Sequence, residues 1–105
     1  HFRQEEGVVV KSFLGGDTVN IFATFLVGDT LTNPTAVTAD VSDGDGTQTT
    51  YVYGVDSELT RPSTGVYKLE LLLDPPGEWS IRFTGTGTAA GTQETTILAL
   101  ESPLL

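Results

Sequence analysis

The chain has 105 residues, and 5 lysines and arginines against 14 aspartates and glutamates give it a net charge of −9. It contains no cysteine, which excludes a disulfide, a thiolate zinc site and a cysteine nucleophile. The length fits one domain with one modest core, the acidity argues against a nucleic-acid partner, and no apolar run approaches the roughly 20 residues that span a bilayer.

The composition favours strands. β-branched and aromatic residues are frequent, and threonine occupies many polar positions. Apolar residues alternate with polar ones, and no segment shows the apolar spacing of a capped helix. In chain order this pattern predicts seven or eight strands, at residues 8–13, 18–27, 36–42, 47–53, 58–61, 66–73, 78–84 and 92–100. In the strand predicted at 18–27, Phe22 and Leu26 interrupt the otherwise polar face. This predicts that part of the polar face is covered by another part of the protein as well.

Turn residues separate these segments at intervals of about 8–12 residues, the spacing of an all-β sandwich or barrel. Residues 43–46 (Asp-Gly-Asp-Gly) predict a hairpin, and the two prolines of residues 75–77 (Pro-Pro-Gly) cannot donate to a strand ladder. The glycine-rich residues 85–91 predict a mobile loop before the last strand. Without helices between the strands, the sheets are expected to be antiparallel, in either a Greek-key or an up-and-down order.

The alternating apolar residues form the predicted core. Trp79 is its anchor, and a core position is preferred over a ligand-stacking role because Trp79 alternates with Ile81 and Phe83. The predicted core consists of Val9, Val19, Ile21, Ala23, Phe25, Val37, Ala39, Val41, Tyr67, Leu69, Leu71, Trp79, Ile81 and Phe83.

The predicted domain covers residues 8–100, between a polar arm at residues 1–7 and an apolar tail at residues 101–105. Leu104 and Leu105 have no strand partner of their own, so the tail either folds back on the sandwich or docks on another subunit.

The polar residues do not assemble into a catalytic motif. His1 is the single histidine and stands at the end of the chain, and a Ser–His–Asp triad needs a positioned imidazole. Asp43 and Asp45 are explained by turn chemistry. We therefore expect neither an enzyme nor a cofactor.

Calcium is the more serious alternative for the turn at residues 43–46. An EF-hand loop counted from Asp43 requires glycine at position six and glutamate at position twelve, where this chain has Gln48 and Gly54. A looser site built from Asp40, Asp43 and Asp45 with backbone carbonyl oxygens stays open.

The order of the motifs resembles that of small immunoglobulin-like proteins encoded among the structural genes of tailed bacteriophages. The shared pieces lie between residues 15 and 100: a D-x-x-G turn at 43–46, a T-Y-x-Y-G strand at 50–54, a T-G-x-Y strand start at 64–67 and a P-G-x-W strand at 76–79. The resemblance implies a single antiparallel immunoglobulin-like β-sandwich of seven to eight strands. It also implies a non-enzymatic virion component that decorates the capsid or belongs to the neck or tail.

The partners implied by the resemblance are other virion proteins, such as capsid, neck or tail subunits, contacted in symmetric copies. No nucleic acid, membrane or small-molecule substrate is expected. The predicted inter-subunit contacts are at the two ends of the chain: Phe2 and Arg3 in the arm, and Leu104 and Leu105 in the tail.

A different class of protein stays open as the alternative. An extracellular or cell-surface immunoglobulin-like module would recognise carbohydrate or another cell, with or without calcium. It predicts an exposed aromatic platform, for which Tyr51 and Tyr53 are the candidates because they share one strand face. If both rings pack inward, the platform does not exist.

Overall fold

A computed structural model of the protein describes residues 10–100. In chain order its strands are β1 Val10–Leu14, β2 Thr18–Thr24, β3 Leu26–Val27, β4 Thr30–Leu31, β5 Ala36–Ser42, β6 Gln48–Val52, β7 Leu59–Ser63, β8 Val66–Leu72, β9 Gly77–Thr86 and β10 Gly91–Leu100. One short 3₁₀ helix, Gly87–Ala89, connects β9 to β10. Between residues 10 and 100, no helix is both long enough and apolar enough to cross a membrane.

Eight of the strands form two sheets. The larger sheet has the order β1-β10-β9-β5-β6, the smaller sheet has the order β2-β8-β7, and β3 pairs with β4 in a separate hairpin. Neighbouring strands are antiparallel, with the exception of the parallel pair β1–β10. A parallel pair requires a long crossover connection. Here that connection is the chain from β2 to β9, which forms the remainder of the sandwich.

The strand order defines the fold. The sequence β2-β8-β7 reproduces the B-E-D order of an immunoglobulin sheet, and β10-β9-β5-β6 reproduces the G-F-C-C′ order of the opposite sheet. The protein is an all-β, immunoglobulin-like β-sandwich, as its sequence predicts. Because the pairs β1–β10, β5–β9 and β2–β8 are neighbours in the sheets without being consecutive in the chain, the order is of the Greek-key kind and not up-and-down.

Of the predicted strands, the one at residues 18–27 differs most from the strands in the structure. It leaves the small sheet at Phe25, whose backbone N–H donates to the carbonyl oxygen of Gly65 at 2.8 Å, and it continues as the separate strand β3. The partial cover predicted over Phe22 and Leu26 is wrong for the described residues. These two side chains are 57% and 50% exposed because no described element packs on them.

The core lies between the two sheets and draws on one face of each. Every described member of the predicted core is buried, and Val9 lies outside the described residues. The predicted core omits five buried residues: Leu73 continues the alternation of β8 one position past its end, and the others lie at the start of β7, in the threonine-rich β10 or on the 3₁₀ helix. They are Leu59, Leu73, Ala89, Ile97 and Ala99.

Most of the glycine-rich residues 85–91 lie in regular secondary structure, where the sequence predicted a loop. β9 extends through Thr86, and the short helix that follows buries Ala89. A side chain at Gly85 would place its Cβ 2.8 Å from the ring of Phe25, so this glycine allows a core ring to pack against the backbone.

Candidate functional site

One end of the sandwich is built from three connections held together by hydrogen bonds. They are the β2–β5 connection, the β7–β8 turn and the β9–β10 connection. The Gly65 N–H donates to Asn33 Oδ1 at 2.7 Å, a hydrogen bond that joins the β7–β8 turn to the β2–β5 connection. The Thr35 N–H donates to the Thr86 carbonyl oxygen at 2.7 Å, a hydrogen bond that joins the β2–β5 connection to the β9–β10 connection. Three parts of the chain that are distant in sequence therefore form a single surface.

The hairpin β3–β4 projects from this end. Leu26 pairs with Leu31 and Val27 pairs with Thr30, which leaves Gly28 and Asp29 as a two-residue turn. Gly28 has φ +62° and Asp29 has negative φ, the pattern of a type II′ turn with glycine at its first central position. Local turn chemistry therefore explains why this short ribbon forms.

Gly65 packs against the base of the hairpin. Its φ is +73°, and a Cβ at this position would lie 2.8 Å from the Thr32 nitrogen and 2.9 Å from the Phe25 carbonyl oxygen. Thr32 in turn donates its N–H to that same Phe25 oxygen at 3.0 Å. The base of the hairpin is thus closed by backbone contacts that leave room for glycine only.

The hairpin exposes three apolar side chains, those of Leu26, Val27 and Leu31, which we together call the apical surface: Leu26 and Leu31 are cross-strand partners on one face of the ribbon, and Val27 is on the other face. These side chains are 50%, 50% and 43% exposed. Asp29 is the only charged residue of the hairpin. Exposed apolar side chains that are concentrated on an ordered element mark interaction sites more often than scattered ones do. The apical surface is the candidate functional site.

The outer face of the large sheet offers a different kind of surface. It contains a shallow, open depression of about 560 Å³ with a largely polar lining. Its polar groups bind one another: Thr50 Oγ1 donates to Asp40 Oδ1 at 2.7 Å, and Arg82 Nε donates to Glu94 Oε2 at 2.8 Å. The Arg82–Glu94 pair is exposed, with side chains 57% and 62% accessible, so solvent screens it. The geometry fits a solvated sheet face.

The three carboxylates that were candidates for a calcium site, those of Asp40, Asp43 and Asp45, lie on a strand and in a turn. Asp43 Oδ1 accepts the backbone N–H groups of Asp45 at 2.9 Å and Thr47 at 3.0 Å, which is an Asx-type turn. Asp40 lies on β5 and binds Thr50. Within residues 10–100, no group of three or more histidine, cysteine, aspartate or glutamate side chains is close enough to hold a metal ion.

Tyr51 and Tyr53 do not form an open aromatic platform. Tyr51 is half-buried and packs against the core. The Tyr53 ring meets the buried ring of Tyr67 edge to face, with 5.2 Å between centroids, and the Arg61 guanidinium carbon lies 5.7 Å from the Tyr53 centroid. Tyr51 packs inward, which is one of the outcomes that the sequence left open, whereas Tyr53 follows the end of β6 and is 37% exposed, so the two rings do not share one open strand face.

The contact residues predicted from the sequence, Phe2, Arg3, Leu104 and Leu105, lie outside the described residues, as do the arm at 1–7 and the tail at 101–105. They stay predictions. The apical surface was missed, although its signal is in the sequence: Leu26, Val27 and Leu31 flank a Gly-Asp turn that predicts a hairpin.

A comparison with protein-family models finds no match to this chain, and a comparison with curated proteins finds none. Among solved structures, the chain is similar to a structure described as the ZIG-8 IG1 homodimer, with 12% identity, 96% of this chain and 87% of that chain covered, and a TM-score of 0.47. It is also similar to a structure described as Tim-1, with 17% identity, coverage of 96% and 97%, and a TM-score of 0.43. The fold assignment rests on the strand order given above.

Proposed function

We propose that this protein is a non-enzymatic interaction domain, and that it serves as a structural component of a tailed-phage virion. The observation that carries the first part is the apical surface, where Leu26, Val27 and Leu31 are about half exposed on an ordered hairpin. The second part rests on the order of sequence motifs between residues 15 and 100, which resembles that of immunoglobulin-like proteins of such phages.

The physical argument for the interaction role is the cost of leaving apolar area in water. Burying apolar surface contributes about 25 cal/mol per Å², so the exposed pair Leu26 and Leu31 favours a partner that covers it. The surrounding groups are threonines, backbone and one aspartate. This chemistry fits an uncharged, apolar patch on another virion protein, such as a capsid, neck or tail subunit.

The virion role is tested by composition. Particles are purified from a culture that carries the gene, and their proteins are digested with trypsin. Residues 69–82 form a tryptic peptide between Lys68 and Arg82. We expect this peptide in the particles in a fixed ratio to the major structural proteins. Its absence from the particles, together with recovery from the secreted or cell-surface fraction, would contradict the virion role and favour the extracellular binding module.

The apical surface is tested with one charge placed at two exposed apolar positions. Leu31→Asp puts the charge on the hairpin, and Val55→Asp puts it in the β6–β7 connection, where the side chain is 78% exposed. We expect Leu31→Asp to lower incorporation into particles by roughly tenfold or more, as at an interface hot spot, and Val55→Asp to leave it unchanged. Equal incorporation of both variants, with equal thermal midpoints, would show that the hairpin is not the contact.

A further inference from the structure

A side chain of the large sheet binds the backbone of the small sheet at the point where the hairpin begins. The Thr24 N–H donates to Gln93 Oε1 at 3.3 Å, and Gln93 Nε2 donates to the Thr24 carbonyl oxygen. Thr24 is the last residue of β2, and Gln93 lies on β10, 69 positions away in the sequence. We call this pair of hydrogen bonds the Gln93 clamp.

Gln93 faces the small sheet because of its place in β10. Its cross-strand partner on β9 is Phe83, whose side chain is buried between the sheets. Directly paired residues of neighbouring strands point to the same face of a sheet. Ile97 and Ala99, which lie on the same face of β10 as Gln93, are buried as well. The regular geometry of the large sheet therefore places the Gln93 amide beside the edge of the small sheet.

The backbone groups of Thr24 point away from β8. Asp17 accepts the Leu73 N–H at 2.9 Å through its carbonyl oxygen, and hydrogen-bonded and non-hydrogen-bonded pairs alternate along an antiparallel ladder. Counted from Asp17 and Leu73, the pair of Thr24 with Val66 is a non-hydrogen-bonded one. The Thr24 N–H and carbonyl oxygen therefore have no partner on β8. The Gln93 amide supplies one acceptor and one donor, as a neighbouring strand would.

The next residue, Phe25, is held from the other side. Its N–H donates to the Gly65 carbonyl oxygen at 2.8 Å, and its carbonyl oxygen accepts the Thr32 N–H at 3.0 Å. All four backbone polar groups of Thr24 and Phe25 thus bind partners outside the ladder of β2 with β8. One partner comes from the large sheet and another from the turn between β7 and β8. The direction in which the chain leaves β2 is set by the whole sandwich.

We propose that Gln93 is a positioning residue for the apical surface: its amide takes the place of a neighbouring strand at Thr24 and fixes the hairpin in one orientation. The Cα atoms of β3 also approach those of the 3₁₀ helix before β10 within 8 Å. A partner then meets a hairpin that is already ordered, which lowers the entropy cost of binding. The benefit to binding rests on the proposed function, whereas the clamp itself rests on the hydrogen bonds alone.

Only a group that donates and accepts at the same time can form this clamp. An ionised carboxylate can accept the Thr24 N–H but cannot donate to the Thr24 carbonyl oxygen, whereas a protonated carboxyl group can do both. Of the described residues beside the clamp, Phe83 and Val66 do not titrate, and Glu94 lies on the opposite face of β10 from Gln93. Gln93→Glu therefore makes the clamp depend on the protonation of the new carboxyl group.

The clamp is tested by amide hydrogen exchange, measured by NMR on the full chain and expressed relative to the intrinsic rate at each pH. Gln93→Met keeps the length and neutrality of the side chain and removes both bonds. Gln48→Glu, at an exposed position on β6, is the control for the charge added by Gln93→Glu. At pH 7 we expect the protection of the Thr24 amide to fall roughly tenfold or more in both Gln93 variants and to be unchanged in the control.

Protonation and the hairpin resonances give the second readout. Below the ordinary glutamate pKa of about 4.3, the Thr24 protection should return in Gln93→Glu and stay low in Gln93→Met. Loss of the clamp should also shift the amide resonances of Leu26 and Leu31. Folded Gln93→Met protein with the wild-type protection at Thr24 and unshifted hairpin resonances would overturn the proposal, because another group would then hold Thr24.

Incorporation into particles separates the clamp from the proposed function. We expect Gln93→Met to incorporate roughly tenfold less than the wild type, as when about a tenth of the molecules hold the hairpin in the binding orientation. If Leu31→Asp blocks incorporation while Gln93→Met, with its clamp open, incorporates normally, the positioning role is wrong. If Leu31→Asp incorporates normally, the proposed contact at the apical surface is wrong, and the positioning role for that contact is wrong with it.

Discussion

Trp79 is fixed by two different interactions. Its ring lies in the core with 5% of its surface exposed, and its N–H donates to the Pro75 carbonyl oxygen at 3.0 Å. The turn at residues 75–77 therefore does more than reverse the chain, because it supplies the polar partner that a buried indole needs. At this scale, a turn residue and a core residue depend on each other.

We expect Trp79→Ala to lower the free energy of unfolding by about 3–5 kcal/mol, through lost burial and the cavity left behind. Trp79→Phe keeps most of the apolar contact but leaves the Pro75 oxygen without its donor, and we expect a loss of about 1–3 kcal/mol. Since the chain has one tryptophan, urea unfolding should be followed by circular dichroism. An unchanged midpoint for Trp79→Ala would contradict the core assignment.

The Tyr51 hydroxyl makes the free energy of unfolding depend on pH in the alkaline range. Burial raises the pKa of its hydroxyl, and the negative charges of Glu58 and Asp56 raise it further. The unfolded chain therefore loses this proton first, near the ordinary pKa of about 10. Between that value and the folded-state pKa the folded protein holds more protons, so the unfolding free energy falls as the pH rises.

We expect Tyr51→Phe to reduce this alkaline fall. Urea unfolding of the wild type and the variant from about pH 8 to about pH 11 measures the difference. The two curves should run parallel below the ordinary tyrosine pKa and diverge above it. Curves that stay parallel over the whole range would contradict the stabilisation of the neutral hydroxyl in the fold.

At the scale of elements, the hairpin β3–β4 depends on a turn that is distant in sequence. Gly65, between β7 and β8, bonds to Phe25 through its carbonyl oxygen and to Asn33 through its N–H. The apical surface is held in place by this contact more than by the four residues of its own ladder. The hairpin is consequently an element of the whole sandwich and not an independent unit.

Gly65→Ala is expected to destabilise the protein more than Gly54→Ala. Both glycines have positive φ, +73° and +93°, so both substitutions strain the backbone. Only at Gly65 would the new Cβ also meet backbone atoms, at 2.8 Å from the Thr32 nitrogen, whereas nothing lies within 4 Å at Gly54. We expect an extra loss of about 1–3 kcal/mol at Gly65, measured by thermal unfolding of the two variants. Equal losses would show that the base of the hairpin can move.

Alternation predicted the strands wherever pairing is regular. β5 has the predicted bounds, 36–42, because Val37, Ala39 and Val41 face the core between two neighbouring strands. The break after Thr24 could not be predicted, since Gly65, whose carbonyl oxygen ends the run, lies far along the chain. For the same reason the exposure of Leu26 was misjudged. Local pattern identifies an apolar face, but only the tertiary arrangement decides whether anything covers it.

At the scale of the whole molecule, the end opposite the apical surface is acidic. The β1–β2, β5–β6 and β8–β9 turns meet there: Gly44 packs against Pro76, and a Cβ on Gly15 would lie 3.3 Å from the Pro76 ring. These turns carry the carboxylates of Asp17, Asp43, Asp45 and Asp74. The sandwich therefore has an apolar end and an acidic end.

Salt should stabilise this arrangement. Raising NaCl from about 0.02 M to about 0.3 M shortens the Debye length from roughly 20 Å to roughly 6 Å and screens the repulsion among these turns. We expect the unfolding free energy to rise with salt and to rise less in Asp45→Asn, which removes a charge without removing the Asp43 turn bonds. Urea unfolding across the salt series measures both. A stability that falls with salt would contradict net repulsion at this end.

The parallel pairing of β1 with β10 has a consequence for the order of assembly. β1 is the first described strand to leave the ribosome, and its partner is the last. During synthesis β1 has no neighbour in the large sheet until the other strands have been made. Pairing of this kind closes the longest loop in the domain, and such distant contacts make folding slow. The small sheet, whose three strands are complete once β8 has emerged, is the part of the protein that can form while synthesis continues.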